Sequence, residues 1–183
     1  IMLVIHPKDK TTDMLRTLYS GCAARLVDSI CPSSEIRRLL HHTSTSERIM
    51  LLGHGCDRGL FYRLDDSSQL FDGIIVGHQH AYYLRRHGSN LVAIWCNADL
   101  FARSEGLHGL FSGMIISELA EAELYNITTT QEELDVENQK LACRLRQLFD
   151  EEVPLSDIPQ RLRGLNDSDT PLTRFNYNNF YYL

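Results

Sequence analysis

The sequence predicts an α/β domain, a mostly parallel central sheet with helices on both faces, followed by a mainly helical C-terminal segment. Three observations carry this. The runs Met2-Leu3-Val4-Ile5, Ile49-Met50-Leu51-Leu52-Gly53 and Leu91-Val92-Ala93-Ile94-Trp95 are apolar without alternation, which suits strands buried on both faces of a parallel sheet. Segments with helical apolar spacing lie between them, so strands alternate with helices. The second and third runs are bounded by Gly, Ser or Asn and each delivers a chemically competent residue, His54 and Cys96 respectively.

Taken in order, Met2–Ile5 is the first strand. Thr11-Thr12-Asp13 offer caps for a helix over roughly 12–19, with Met14, Leu15 and Leu18 as its buried stripe and Gly21 as its end. Ala24–Val27 reads as the second strand. Ser33-Ser34 cap a helix whose Ile36, Leu39 and Leu40 face inward, and the solvated pair His41-His42 suits the negative pole of its dipole. After His54, residues 60–64 and the polar turn Asp65-Asp66-Ser67-Ser68 read as a hairpin or excursion over the strand ends. Gly73–Gly77 fits either a short strand or a helix lead-in. Residues 78–87 follow as a helix with Ala81, Tyr82 and Leu84 inward and Gly88 in the C-terminal stop position.

Beyond Cys96, Asn97-Ala98-Asp99 opens a loop through Ser104-Glu105-Gly106. Ser112 then caps a helix with Met114, Ile115, Leu119 and Ala122 on its apolar face. Asn126-Ile127-Thr128 suggests a brief strand. The capping box Thr130-x-x-Glu133 starts a helix that runs to about Asp150 and carries Leu134, Leu141, Leu145, Leu148 and Phe149. Pro154 breaks the chain, 156–165 is a short helix, and 174–183 is a Tyr/Phe/Asn tail of strand-like composition. Residues 1–127 therefore read as the α/β core and 128–183 as a helical extension packed on the same domain.

Composition narrows the function classes. With 183 residues the chain is about one domain, and 43% hydrophobic with 23% charged content is that of a globular protein rather than a disordered one. A net charge of -6 argues against a general nucleic-acid surface. No apolar run approaches the ~20 residues that span a bilayer, and the N-terminus lacks a signal-peptide layout, so the expectation is a cytoplasmic protein without membrane contact. The five cysteines include no CxxC pair, which suggests free thiols rather than disulfides or a structural zinc site.

In an open parallel sheet the ligand crevice lies outside the carboxyl ends of the strands, where both His54 and Cys96 fall. A thiolate attacks carbonyl carbon well and needs an imidazole to take its proton and return it to the leaving amine. His54 and Cys96 fit those roles if their strands are neighbours. Gly55 lets backbone approach a substrate closely, and its N–H with that of Cys96 could bind an oxyanion. Cys56, two residues from His54, is an alternative nucleophile with poorer in-line geometry. The other reading of the pair is a core histidine and a buried thiol.

The strand ending in Gly53-His54-Gly55, the later strand ending in Cys96 with a small-residue loop after it, and Ser112-Gly113 further on resemble the caspase-like cysteine peptidases, notably their bacterial members. That group includes caspases, legumains, gingipains, clostripains and separases. The resemblance covers roughly residues 1–127. It implies a caspase-like three-layer sandwich, with His54 as general base and acid, Cys96 as nucleophile, peptide or protein as substrate, and no cofactor. Trp95 stands where many relatives carry an acidic or small residue. Relatives often place an acidic residue in the pocket for a basic side chain, and Asp57 and Asp99 are the candidates, each also suited to capping a loop.

Two rival readings stay open. Gly77-His78-Gln79-His80 looks like the Gly-His-x-His signature of binuclear metallophosphoesterases. Their early Asp-x-His and Gly-Asp-x-x-Asp are missing, Ile5-His6-Pro7 being the nearest approach, so two histidines beginning a helix is the plainer description. The second rival is a catalytically inactive caspase-like binding or scaffold module. Its partner surface would be the aromatic tail of Phe175, Tyr177, Phe180, Tyr181 and Tyr182, although completing the domain's own sheet is the simpler use of that tail.

Overall fold

A computed structural model describes residues 1–67 and 69–183; Ser68 of the expected polar turn lies outside the described residues. The central sheet has six strands. β1 (Met2–Ile5) lies between β2 (Ala24–Val27) and β3 (Ile49–Leu52), and the order continues through β7 (Leu91–Ile94), β8 (Leu110–Ser112) and β9 (Phe180–Tyr182). All pairs are parallel except β8 with β9. Every residue of β3 and β7 is buried, which explains their unbroken apolar runs.

Alternate residues feed two cores. Leu3, Ile5, Ile49, Leu51, Leu91 and Ala93 face α1 (Ser33–His42), α2 (Ala81–Leu84) and α3 (Ala98–Glu105). Val4, Met50, Leu52, Val92 and Ile94 face a 3-10 helix (Lys10–Leu18), α5 (Gln131–Asp150) and α6 (Ile158–Gly164). Between β3 and β7 the chain builds a separate antiparallel sheet of β4 (Gly55–Cys56), β5 (Gly59–Tyr62) and β6 (Gly73–Gly77). The excursion is therefore a small sheet, and Gly73–Gly77 is its third strand.

Several expectations change. The first helix is 3-10 in form and starts at Lys10, with Asp9 as its cap. Residues 78–87 break into 3-10, α and 3-10 turns; His80, Ala81, Leu84 and His87 take the buried side, so Tyr82 points out, 76% exposed. Gly88 has φ −52 and is no left-handed stop. The expected loop from Asn97 is α3, whose Ala98, Phe101 and Ala102 repeat at helical spacing before Gly106 at φ 65.

Ser112 caps no helix. It ends β8, and its hydroxyl accepts from Trp95 N–H (3.0 Å) and donates to Trp95 C=O (2.8 Å). The helix expected there is only α4 (Leu119–Leu124), and residues 126–128 form no strand, Asn126 having φ 55. Thr130 caps α5 as expected, its hydroxyl accepting from Glu133 N–H at 3.1 Å. The aromatic tail divides: Arg174 to Tyr177 belong to α7 (Pro171–Tyr177), and β9 then closes the domain's own sheet. Among the described residues no helix is long and apolar enough to cross a membrane.

Candidate active site

β3 and β7 are neighbours in register, Ile49 opposite Leu91 through Leu52 opposite Ile94, so Gly53-His54 and Trp95-Cys96 leave the sheet side by side. Both His54 and Cys96 line one cavity of about 40 Å³, whose wall is mainly apolar, with Ile94, Ile115, Leu141 and Phe180, and also carries Thr11, Ser117 and Asn138. The chain turns from β1 to β2 on one side and to β3 on the other, which makes the β1/β3 gap the switch point of the sheet. His54 sits at its mouth.

The loop after β1 supplies the partners of His54. Thr11 Oγ1 lies 2.5 Å from His54 Nε2 and 2.7 Å from Asp9 Oδ1. A carboxylate can only accept, so the one Thr11 hydroxyl proton goes to Asp9 and the hydroxyl accepts from Nε2–H. That fixes the tautomer and leaves Nδ1 as the basic nitrogen. Asp9 Oδ2 is also 3.7 Å from His54 Nε2 and 2.7 Å from the Arg63 guanidinium. Burial opposes charge on Asp9, but His54 and the hydroxyl and N–H of Thr11 outweigh it and hold the carboxyl well below the usual range. Arg63 lies over the Phe71 ring at 4.3 Å, and that ring is 5.4 Å from His54, so the excursion after β5 roofs the imidazole.

One layer further out, His6 at the end of β1 anchors the 3-10 helix that carries Thr11. Its ring nitrogens meet Tyr19 Oη at 2.9 Å and Thr12 Oγ1 at 3.1 Å. Burial pushes His6 down to about 4, so it is a neutral strut.

Cys96 has a different setting. Its thiol donates to Ile115 C=O at 3.6 Å. Burial pushes the thiol up to about 11; the Ile115 carbonyl bond works the other way, and the charges of Glu121 and Glu118 add to the rise. The loop after β8 that carries Ile115 is held in turn by a buried asparagine pair. Asn138 of α5 and Asn176 of α7 both donate to Ile116 C=O, at 2.9 and 3.0 Å, and Asn176 accepts from Ile116 N–H at 2.8 Å. The C-terminal extension thus shapes the cavity directly.

Trp95 ties the two halves. Its indole N–H donates to Cys56 C=O at 2.9 Å, and a Cβ on Gly55 would sit 2.4 Å from the ring, so only glycine fits beneath it. Phe61 N–H bonds His54 C=O, which makes the next opposed pair, Gly55 and Leu60, a non-bonded one and turns Gly55 N–H away from β5. Among the described residues Cys96 N–H has no acceptor either.

The other candidates lie elsewhere. Asp57 is exposed in the β4–β5 turn, and Asp99, its side chain largely covered, pairs with Arg103 at 3.9 Å in the first turn of α3; neither lines the cavity. Cys56 is not among the lining residues and is a free thiol like the other four. His80 is buried with its ring engaged by Gly77 N–H and the Ser33 hydroxyl, while His78 meets Glu105 at 2.8 Å. Among the described residues no three His, Cys, Asp or Glu gather as metal ligands. Asp9, Thr11 and Arg63 are the residues that sequence reasoning missed. A signal existed: Asp9-x-Thr11 follows the β1 strand end, the position that marked His54, but it also reads as helix capping. Comparison with family models, with curated proteins and with solved structures found no match.

Proposed function

We propose that this chain is a caspase-like cysteine peptidase on a three-layer α/β sandwich, hydrolysing peptide bonds with Cys96 and His54 and no cofactor. The observation that carries the reading is the delivery of the imidazole and the thiol from two adjacent parallel strands into one cavity. Because burial keeps the thiol neutral, attack requires a base in place. Cys96 Sγ bonds to the scissile carbonyl carbon while its proton passes to His54 Nδ1. The carbonyl oxygen becomes an oxyanion for which Cys96 N–H is the donor at the cavity and Gly55 N–H, beneath Trp95 and outside the cavity lining, the second candidate. Collapse breaks the C–N bond and His54 protonates the leaving amine. Water, losing its proton to His54, adds to the thioester carbonyl; collapse breaks the C–S bond, and the imidazolium returns its proton to Cys96 Sγ. Asp9, through Thr11, stabilises the imidazolium that forms twice in this cycle.

A second reading, an inactive caspase-like binding module, is favoured by one observation: the resting thiol is bonded to Ile115 C=O in a cavity of about 40 Å³. A fluorogenic peptide library separates the two. A peptidase cleaves at least one member, and both Cys96→Ala and His54→Ala stop the cleavage while melting like the parent. Turnover that survives in the Cys96→Ala protein, or a library left intact by the parent, would overturn the peptidase reading and leave the binding module.

A further inference from the structure

Away from the cavity, the sequence holds two arginine pairs, Arg37-Arg38 and Arg85-Arg86, some fifty residues apart. The packing of α1 against α2 joins them. They surround an open groove of about 870 Å³ with Tyr82 and Tyr83 between them, and among the described residues no carboxylate lines it. On a chain of net charge -6 this is a local inversion of sign.

The four guanidinium groups differ. Arg86 is structural: it donates to the carbonyls of Leu40, His41 and Thr43 and so closes the C-terminus of α1. Arg38 is forked onto Glu35 in an exposed and therefore weak pair, while Arg85 donates to Glu105 C=O at 3.0 Å and lies 3.7 Å from its largely covered carboxylate, leaving the rest of its half-exposed guanidinium toward the groove. Arg37 has no carboxylate among the described residues, only Ser33 Oγ at 3.2 Å and Gln79 Oε1 at 3.4 Å. Between them Tyr82 stands 76% exposed, edge-on to Tyr83 at 5.3 Å. An outward tyrosine in a ring of arginines offers an apolar face and cation sites together.

We propose that this groove binds an acidic peptide segment of another protein, carboxylates on Arg37 and Arg85 and an apolar side chain on the Tyr82 and Tyr83 rings. Carboxylates of this chain already sit on Arg38 and Arg85, so carboxylate is a chemistry these arginines take in this setting. A polyphosphate strand fits less well. Beyond the groove it would meet a chain whose remaining charge is net negative. The volume suits a few residues of extended peptide.

The test is fluorescence anisotropy of a labelled Glu-Glu-Phe-Glu-Glu peptide titrated with the whole chain. Saturable binding that weakens with salt is expected, as is a loss of about tenfold with Arg37→Glu, the effect of one charge-assisted contact. Arg85→Glu serves as the second variant should Arg37→Glu melt early, and Tyr82→Ala should weaken the Phe peptide more than an all-Glu one. No saturation, or an affinity unchanged in both charge-reversal variants, overturns the proposal. So does tighter binding of a single-stranded oligonucleotide than of the peptide. Concentration-dependent dimerisation abolished by Arg37→Glu would assign the groove to a second copy of the chain and overturn it too.

Discussion

His54 and Cys96 leave neighbouring strands at the same level, yet their surroundings are opposites. The imidazole stands in a polar web of Thr11, Asp9 and Arg63, oriented before any substrate arrives. The thiol stands among Ile94, Ile115 and Leu141 with one carbonyl for a partner. A base needs its tautomer fixed and its charged form stabilised, which polar neighbours do. A thiol in an apolar wall keeps its proton until something takes it. The difference teaches that, on the proposed peptidase reading, the thiol depends on a base from across the cavity, because nothing beside Cys96 favours its thiolate.

The sharpest way to break that comparison is to remove either end of it. Cys96→Ala and His54→Ala should each lower peptide turnover by at least about 10⁴-fold, read as kcat/KM, with unchanged thermal melts. Unequal losses, with Cys96→Ala retaining most of the rate, would show that the apolar side holds no nucleophile.

A second effect falls on two buried histidines, His6 behind the polar side and His80 beside the start of α1. Burial pushes both His6 and His80 down to about 4, against about 6.5 in an unfolded chain. Above pH 6.5 neither state is protonated and the pair contributes nothing to pH dependence. As pH falls below it, only the unfolded chain takes up these protons, so stability is lost until about pH 4, by about 3 kcal/mol per histidine. Urea midpoints measured at intervals from pH 7.5 to 4 should fall steadily; a flat profile would mean that both rings protonate in place.

Thr11→Val keeps the shape of the side chain and removes the hydroxyl that joins His54 to Asp9. Turnover should drop by about 10²-fold through loss of the correct tautomer, with Thr11→Ser restoring most of it. A valine variant as fast as the parent would show that Asp9 orients the ring without the hydroxyl.

The same asymmetry governs what could be read from the sequence. The sheet and the strand-end positions were legible because runs buried on both faces have few other readings, and His54 and Cys96 inherited their places from those runs. Partners were not. Asp9 and Thr11 wear the composition of a helix cap, and indeed Asp9 does cap the 3-10 helix while holding the site. The spacing of Tyr82 from Ala81 and Leu84 suits the inward face of a regular helix, whereas His80 and His87 claim that side. Ser112 has the composition of a cap, but its hydroxyl is taken by the Trp95 backbone from the next strand. Side-chain bonds between distant elements leave no local pattern.

The smallest effect probes the apolar side from furthest away. α5 carries Asn138, Leu141 and Leu145 to the wall around Cys96, and its start is held by Thr130 Oγ1 accepting from Glu133 N–H. Thr130→Ala removes that bond at an end where the helix amides have few other acceptors, costing about 1 kcal/mol. Asn138 lies two turns further along and is fixed independently by Ile116 C=O and Asn176. Fraying should therefore stop before it reaches the cavity: the melting temperature falls by a few degrees while kcat and KM stay where they were. Were turnover to fall with stability, the wall around the thiol would depend on the whole of α5, and the thiol side would be as preorganised as the imidazole side, by packing instead of by hydrogen bonds.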